Sequence, residues 1–431
     1  MTGSVKTVNL TYQLNKIVKV FILSKPDRNL ITEITLPPSK SISNRLLIIR
    51  ALTPKPFPIE NLSDSDDTRV LAAALSGKQN IVNIVHAGTS MRFLTGYYSI
   101  IPGERILTGS ERMKHRPVGE LVRTLTAMGA DIQYTEKEGY PPVRIRGKKL
   151  EGGRITINSS VSSQFISSLL MIAPCLSHGL ELNLEGDTVS PAYISLTLKL
   201  MQSFGIRYEW KGTVITIPPQ VYKPNDCRVE ADWSSASYWY ELASLAGKAE
   251  LIIRGLSRSG LQGDSVLAVL CKDFGVNTDY FDDGIKLTSG HFSLSRFDHN
   301  FINHPDLVQT FGVLCALKGI PFRFDGTVTL RVKETDRIHA LKQELAKFGI
   351  SLGSAADGSW IEYNGKPGKK DGTIKIRTYQ DHRMAMAFAP AAMAGFKIEV
   401  DNPGVVSKSY PGFWEDFKKA GFQIKKTDSS F

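Results

Sequence analysis

RITINSSVSSQFISSLLMIAPCLSHGLELNLEG, residues 154–186, holds the pattern that decides the fold. It opens with alternating polar and apolar side chains, the period of a half-buried strand. A Ser-rich turn carrying Gln164 follows and runs straight into apolar residues at helical spacing, from Phe165 to Ile172. GLELNLEG (179–186) returns to strand alternation. Further on, ISLTLKLMQSFGI (194–206) reads as a second helix and TVITIPP (213–219) as another strand. The unit is roughly βαβαββ.

The turn-into-helix pattern recurs in PSKSISNRLLIIRAL (38–52), HAGTSMRFLTGYYSI (86–100), EADWSSASYWYELASLAG (230–247), NHPDLVQTFGVLCALKG (303–319) and YQDHRMAMAFAPAAMAG (379–395). Anchored on Lys40, Gly88, Gln164, Asp232, Asp306 and Asp381, the intervals are 48, 76, 68, 74 and 75 residues. A long fixed period marks a repeated supersecondary unit, and the short first interval marks one unit as shortened. Ser, Thr and Asp favour helix N-caps. A helix N-terminus offers unpaired N–H groups and the positive end of the helix dipole, a ready anion site. Each start alone could be an ordinary cap. Together they carry Lys40, Arg45, Arg92, Gln164, Asp232, Asp306 and Arg383, which favours convergence on one anion-binding cleft.

The 431 residues exceed one ordinary hydrophobic core, so two or three domains are expected. No apolar run nears the roughly 18 residues of a membrane span. Lys plus Arg number 53 against 42 Asp plus Glu. The basic residues are scattered rather than clustered with aromatics, favouring a small polyanionic ligand over nucleic acid or membrane. Cys175, Cys227, Cys271 and Cys315 form no CxxC pair and lack a His at metal-ligand spacing. No metal or cofactor is expected. The cysteines read as small core residues in a reduced cytoplasm. The first 26 residues lack Asp and Glu, so an organellar transit peptide stands beside the plainer reading, in which Val18–Leu23 is a strand.

LPPSKSISNRLLIIRAL (36–52), AGTSMRFL (87–94), LTGSERMKHRPVGELV (107–122), SSVSSQF (159–165), LQGD (261–264), RVKETDRIHAL (331–341) and YQDHRMAM (379–386) resemble, in order, the landmark motifs of the EPSP (5-enolpyruvylshikimate-3-phosphate) synthase family. The resemblance runs from residue 31 to 420. It implies a two-domain, inverted α/β barrel-like enolpyruvyl transferase fold of six βαβαββ repeats. One domain would span 39–229, and the other 1–38 plus 230–431, with the site between them. It implies transfer of the enolpyruvyl group of phosphoenolpyruvate to shikimate 3-phosphate, and inhibition by glyphosate. A monomer is expected.

Under the same resemblance, shikimate 3-phosphate would meet Lys40, Ser41, Arg45, Ser162, Ser163, Gln164, Ser190, Tyr193, Asp306, Thr329 and Lys333. Phosphoenolpyruvate would meet Lys40, Gly88, Arg116, Gln164, Arg337, Arg383 and Lys408. Asp306, Glu334 and Lys40 would move protons. Arg suits bidentate capture of carboxylate and phosphate, and Gly88 lets backbone approach a ligand.

Plainer readings stand beside these. Lys333 and Arg337, four apart, could be solvated neighbours on one helix face. Asp306 could be a helix cap, and His382 a structural partner of Asp381. Arg92 is read as supporting the Gly88 loop, and Trp233, Tyr238 and Trp239 as core. His86, His299 and His304 are read as surface or packing residues. Pro38, His86 and Thr329 depart from the family pattern, Thr329 by losing an amide donor. Two other classes remain open at this point: a UDP-N-acetylglucosamine enolpyruvyl transferase, and a nucleic-acid-binding protein on a related repeat fold. An inactive scaffold is less favoured, because the charged set is intact.

Overall fold

Alternation places Leu180, Leu182 and Leu184 on one face of the strand Leu180–Glu185 and buries them. This strand pairs in parallel with Gly153–Asn158, across the helix Ser163–Ile172 that joins them. On its other edge it pairs antiparallel with Val214–Ile217, which pairs with Glu209–Lys211. The second helix, Pro191–Ser203, precedes that hairpin. A computed structural model of the chain describes residues 18–366, 368 and 372–429. In it, four four-stranded sheets share this strand order: first, second, fourth, third; a fifth has the same layout, with the N-terminal strand Val18–Ser24 between Lys397–Asp401 and Gln423–Ser429.

The sixth unit, containing the helices Lys40–Leu52 and Asp66–Ser76, keeps only the parallel pair Cys227–Arg228 and Ile59–Glu60. This is the unit behind the short first interval in the sequence. The N-terminal strands Val18–Ser24 and Asn29–Thr35 complete sheets whose other strands come from the second half of the chain. The transit-peptide reading falls largely on residues outside those described.

Two hydrophobic cores result. One draws on residues from Ile42 to Val229. The other draws on Leu23 to Leu36 and on Ala231 to Phe422. The chain passes between them twice, side by side: Ser39 N donates to Glu230 O at 2.8 Å, and Asp232 N to Pro37 O at 2.9 Å. Helices that open a unit run through the cores. Ser163–Ile172 and Trp233–Leu245 are buried nearly all round, as a helix enclosed by sheets must be. Trp233, Tyr238 and Trp239 are core residues. Of the cysteines, Cys271 and Cys315 are buried, Cys227 is half-buried and Cys175 is exposed. Cys175 departs from the core expectation because Pro174 puts it in a one-turn 3-10 segment at the outer end of its helix.

Glu241 is anomalous within the second core. It is fully buried on Trp233–Leu245, and neither carboxylate oxygen has a hydrogen-bond partner among the described residues. Burial pushes its pKa well up and favours the protonated form in the folded chain. A raised folded pKa leaves stability intact below the unfolded carboxylate range, about 4.3, and erodes it as pH rises. Glu241→Leu is therefore expected to raise the melting temperature, and more at pH 9 than at pH 5. A buried polar group without a partner costs about 1–3 kcal/mol. Melting curves at both pH values check this; an equal or negative change at pH 9 contradicts it.

Candidate active site

All six polar helix starts meet at one cleft of about 1190 Å³ between the two cores. Lys40, Gly88, Ser163 and His382 are first residues of their helices, and Asp232 caps Trp233–Leu245 by accepting from Ser235 N at 2.8 Å. Asp306 lies in the one-turn 3-10 segment Pro305–Leu307, just before Val308–Lys318. Seven cationic side chains (Lys40, Arg45, Arg92, Arg116, Lys333, Arg337, Arg383) face four carboxylates (Asp67, Asp232, Asp306, Glu334). The cationic excess and the helix dipoles favour anions.

Asp306 does not cap its helix. Its carboxylate accepts from Tyr193 Oη at 2.9 Å and Arg337 Nη1 at 3.0 Å, and pairs with Arg383 Nη2 at 2.8 Å. Burial pushes its pKa up, but Arg383, Lys333 and Arg337 outweigh burial and hold it well below the usual carboxylate range. Glu334 accepts from Lys408 Nζ at 2.9 Å and Arg337 Nη2 at 3.0 Å, with Arg116 at 3.8 Å. Burial acts upward there too, and Lys408, Arg337 and Arg116 overcome it. Arg337 is 2% exposed and also donates to Asp381 from Nε at 2.7 Å. It is the hub that joins three carboxylates.

Arg116 lies against Gly88 so closely that a Cβ there would sit 2.3 Å from Arg116 Nη1. Arg92 donates to Gly88 O and Pro117 O, both at 3.0 Å, supporting that loop while lining the cleft. Lys40 Nζ is 3.4 Å from Asp67. Arg45 is turned toward the protein: Nε donates to Thr197 Oγ1 at 2.7 Å and Nη1 to Ser41 O at 2.9 Å, and burial pushes its pKa down to about 10. Gln164 Nε2 reaches Thr89 Oγ1 at 3.4 Å, and Ser190, at φ 52°, donates its N–H to Ile302 O at 3.0 Å. The Thr329 hydroxyl is buried with no partner among the described residues.

Ser41, Ser162, Ser163, Gln164, Ser190, Tyr193, Thr329 and Lys333 line the same cleft; Lys408 reaches it through Glu334. One placement differs from the sequence reading. Lys333 and Arg337 do not share a helix, because Asp336 accepts from His339 N at 3.0 Å and starts the helix at Arg337. Lys333 stays in the extended link after Val328–Val332. Among the described residues, no group of three or more His, Cys, Asp or Glu is arranged as metal ligands, and no helix is long and apolar enough to cross a membrane.

The family model of EPSP synthase (3-phosphoshikimate 1-carboxyvinyltransferase) matches residues 76–417. The chain belongs to the EPSP synthase family. Its similarity to the 3-phosphoshikimate 1-carboxyvinyltransferase of Bacteroides fragilis (strain YCH46) is 48% identity over 406 residues, covering 94% of this chain and 98% of that one. The enzyme of the same name from Vibrio campbellii is 34% identical over 415 residues, 90% and 96% of the two chains. EPSP synthase from Acinetobacter baumannii shares the fold, with a TM-score of 0.75 at 20% identity over 95% of this chain and 100% of that one. The enolpyruvyl transferase NikO from Streptomyces tendae also shares it, at 0.72 and 17% over 96% and 100%. Family membership favours the shikimate enzyme over the other classes left open by the sequence.

In this EPSP synthase family member, sequence motifs alone do not mark Asp67, Ser234, Ser235, Tyr238 or Ser409 as cleft residues, yet all five line it. Asp67 lies in SDSDDTR (63–69), in the first turn of the helix Asp66–Ser76, and its place in the cleft shows only through its 3.4 Å pairing with Lys40. Tyr238 has a core pattern, but its hydroxyl lies 3.4 Å from Arg383 Nη1. His382 lines the cleft; neither ring nitrogen has a hydrogen-bond partner among the described residues, and Nδ1 lies 3.5 Å from Asp381 Oδ1. Burial, then Lys40 and Arg383, hold it well below the usual imidazole range, so it stays neutral at pH 7. Asp264 of the LQGD motif stands behind Ser234 and accepts its hydroxyl at 2.5 Å; burial, with Asp306 adding to it, pushes its pKa up to about 7.

Proposed function

We propose that the chain transfers the enolpyruvyl group of phosphoenolpyruvate to the 5-hydroxyl of shikimate 3-phosphate, releasing phosphate. The observation that carries this is the 48% identity to a 3-phosphoshikimate 1-carboxyvinyltransferase across 94% of the chain. The cleft chemistry supports it, since each substrate carries a phosphate and a carboxylate and the cleft holds a cationic excess on six helix starts.

In this reading Arg116, Arg337, Arg383 and Lys408 hold phosphoenolpyruvate, with Gly88 leaving room. Ser162, Ser163, Gln164, Tyr193, Thr329 and Lys333 hold shikimate 3-phosphate. Arg45 acts by fixing Ser41 and the Tyr193 carbonyl, at 2.9 and 3.3 Å. The 5-hydroxyl attacks the central carbon of phosphoenolpyruvate and gives its proton to Asp306. The methylene gains a proton from the Lys40 ammonium and becomes methyl, and the ionised Glu334 is placed to take a proton back. Phosphate then departs as the methyl loses a proton, restoring the double bond.

Binding and basicity are coupled here. Without substrate, Arg337 and Arg383 make Asp306 a weak base. A bound substrate anion shares those cations and raises its basicity at the moment it is needed.

We also propose that residues 39–229 and 1–38 plus 230–431 are two domains that close on the ligands. The two cores and the paired crossings at Ser39 and Asp232 support this. Small-angle scattering is expected to show compaction with both substrates; an unchanged radius of gyration contradicts it. The reaction itself is tested by phosphate release. Release requiring both substrates is expected, and release from phosphoenolpyruvate alone would falsify it.

A further inference from the structure

Arg112 sits on the rim of the cleft, in the one-turn helix Glu111–Lys114, and its side chain is exposed. Yet two of its guanidinium nitrogens are directed at backbone. Nε donates to Glu334 O at 3.0 Å and Nη2 to Lys333 O at 3.1 Å. Those carbonyls belong to the link between the 3-10 helix Val328–Val332 and the cap Asp336. They also flank the two side chains that this link sends into the cleft, Lys333 and Glu334.

Four residues on, Arg116 approaches the carboxylate of Glu334 itself at 3.8 Å. One segment thus grips the link twice: Arg112 by its backbone, Arg116 by its side chain. The contact joins the two halves, since Met113 belongs to the first core and Leu330 to the second. A planar fork on two successive carbonyls fixes both the position and the rotation of the peptide between them, which a lysine ammonium does not. An isolated exposed bond would do little; this one holds the backbone from which Glu334 projects.

We propose that Arg112 is a positioning residue for the transfer reaction, holding the Lys333–Glu334 link over the cleft from the opposite half. The inference rests on the reaction proposed above. It adds a rim contact that assembles Glu334 only when the halves meet.

The test compares Arg112→Ala in the parent and in a Glu334→Gln background, with steady-state kinetics on both substrates. Misplacing a reacting group by ~1 Å costs up to about 100-fold, so a loss of about tenfold in kcat is expected, with a smaller change in either KM. If Arg112 acts through Glu334, its loss costs within about twofold when Glu334 is already Gln. Arg112→Lys is expected to recover only part of the rate. Circular dichroism and melting are expected to stay unchanged, because the side chain is exposed. Hydrogen exchange of peptides covering 328–338 is expected to quicken in Arg112→Ala without any substrate.

A kcat in Arg112→Ala close to the parent's, equal losses in both backgrounds, or unaltered exchange over 328–338 would each overturn the role of Arg112 while leaving the reaction standing. A parent that turns over neither substrate overturns the reaction reading and, with it, the reaction this residue serves. The two failures are therefore distinct.

Discussion

Asp306→Asn is expected to fold normally and to lose roughly 10²–10⁴ of kcat, the usual contribution of a positioned general base. Asn keeps the shape and an oxygen for the Tyr193 hydroxyl, now 2.9 Å away. It removes the charge that faces Arg337 at 3.0 Å and Arg383 at 2.8 Å. Those cations remain free to bind phosphoenolpyruvate, so its KM is expected to hold or fall. The signature is therefore a kcat defect without a binding defect. Steady-state kinetics separate the two, and a kcat within about tenfold of the parent contradicts the role of Asp306 as base.

Arg337→Met removes more. Arg337 is the common partner of Asp306, Glu334 and Asp381, at 3.0, 3.0 and 2.7 Å. Breaking a buried pair by deleting one partner costs about 3–5 kcal/mol, because the other charge stays buried. Here three carboxylates lose a shared cation, so both stability and turnover are expected to fall sharply. The pH dependence has a definite sign. Asp306 and Glu334 have depressed folded pKa values. Their stabilisation is present above the unfolded carboxylate range, about 4, and is lost as pH falls through the folded values. Removing Arg337 erases part of that stabilisation, and acid lets the stranded carboxylates protonate. The melting-temperature gap between parent and variant is expected to be wider at pH 8 than at pH 5. An equal gap at both, or none, contradicts the hub.

Much of this was legible in the sequence because the repeat exposes its own polarity. Six Ser-, Thr-, Gly- or Asp-bearing turns each lead into an apolar helix, and a helix enclosed by sheets must be apolar nearly all round. The strand alternation at Leu180–Glu185 marked the element type, while its register came only with the structure. The charged set survived because Lys40, Arg116, Glu334, Arg337 and Arg383 lie in long motifs.

What escaped depends on long-range packing. Asp67 carries no motif of its own, and only the fold brings it within 3.4 Å of Lys40. Spacing placed Lys333 and Arg337 on one helix, whereas a cap at Asp336 separates them. Glu241 sits at an unremarkable place in a helical pattern, and only its lack of partners sets it apart. Arg112 lies inside a recognisable motif, but its two acceptors are 221 and 222 residues away. No local spacing can report such a contact.

The most direct measurement is phosphorus NMR of the protein mixed with equimolar phosphoenolpyruvate and shikimate 3-phosphate. The expected result is one-for-one loss of both substrate resonances, with equal growth of inorganic phosphate and one new phosphate monoester. Loss of phosphoenolpyruvate while shikimate 3-phosphate persists would contradict the transfer, because the cleft would then be hydrolysing one substrate rather than joining two.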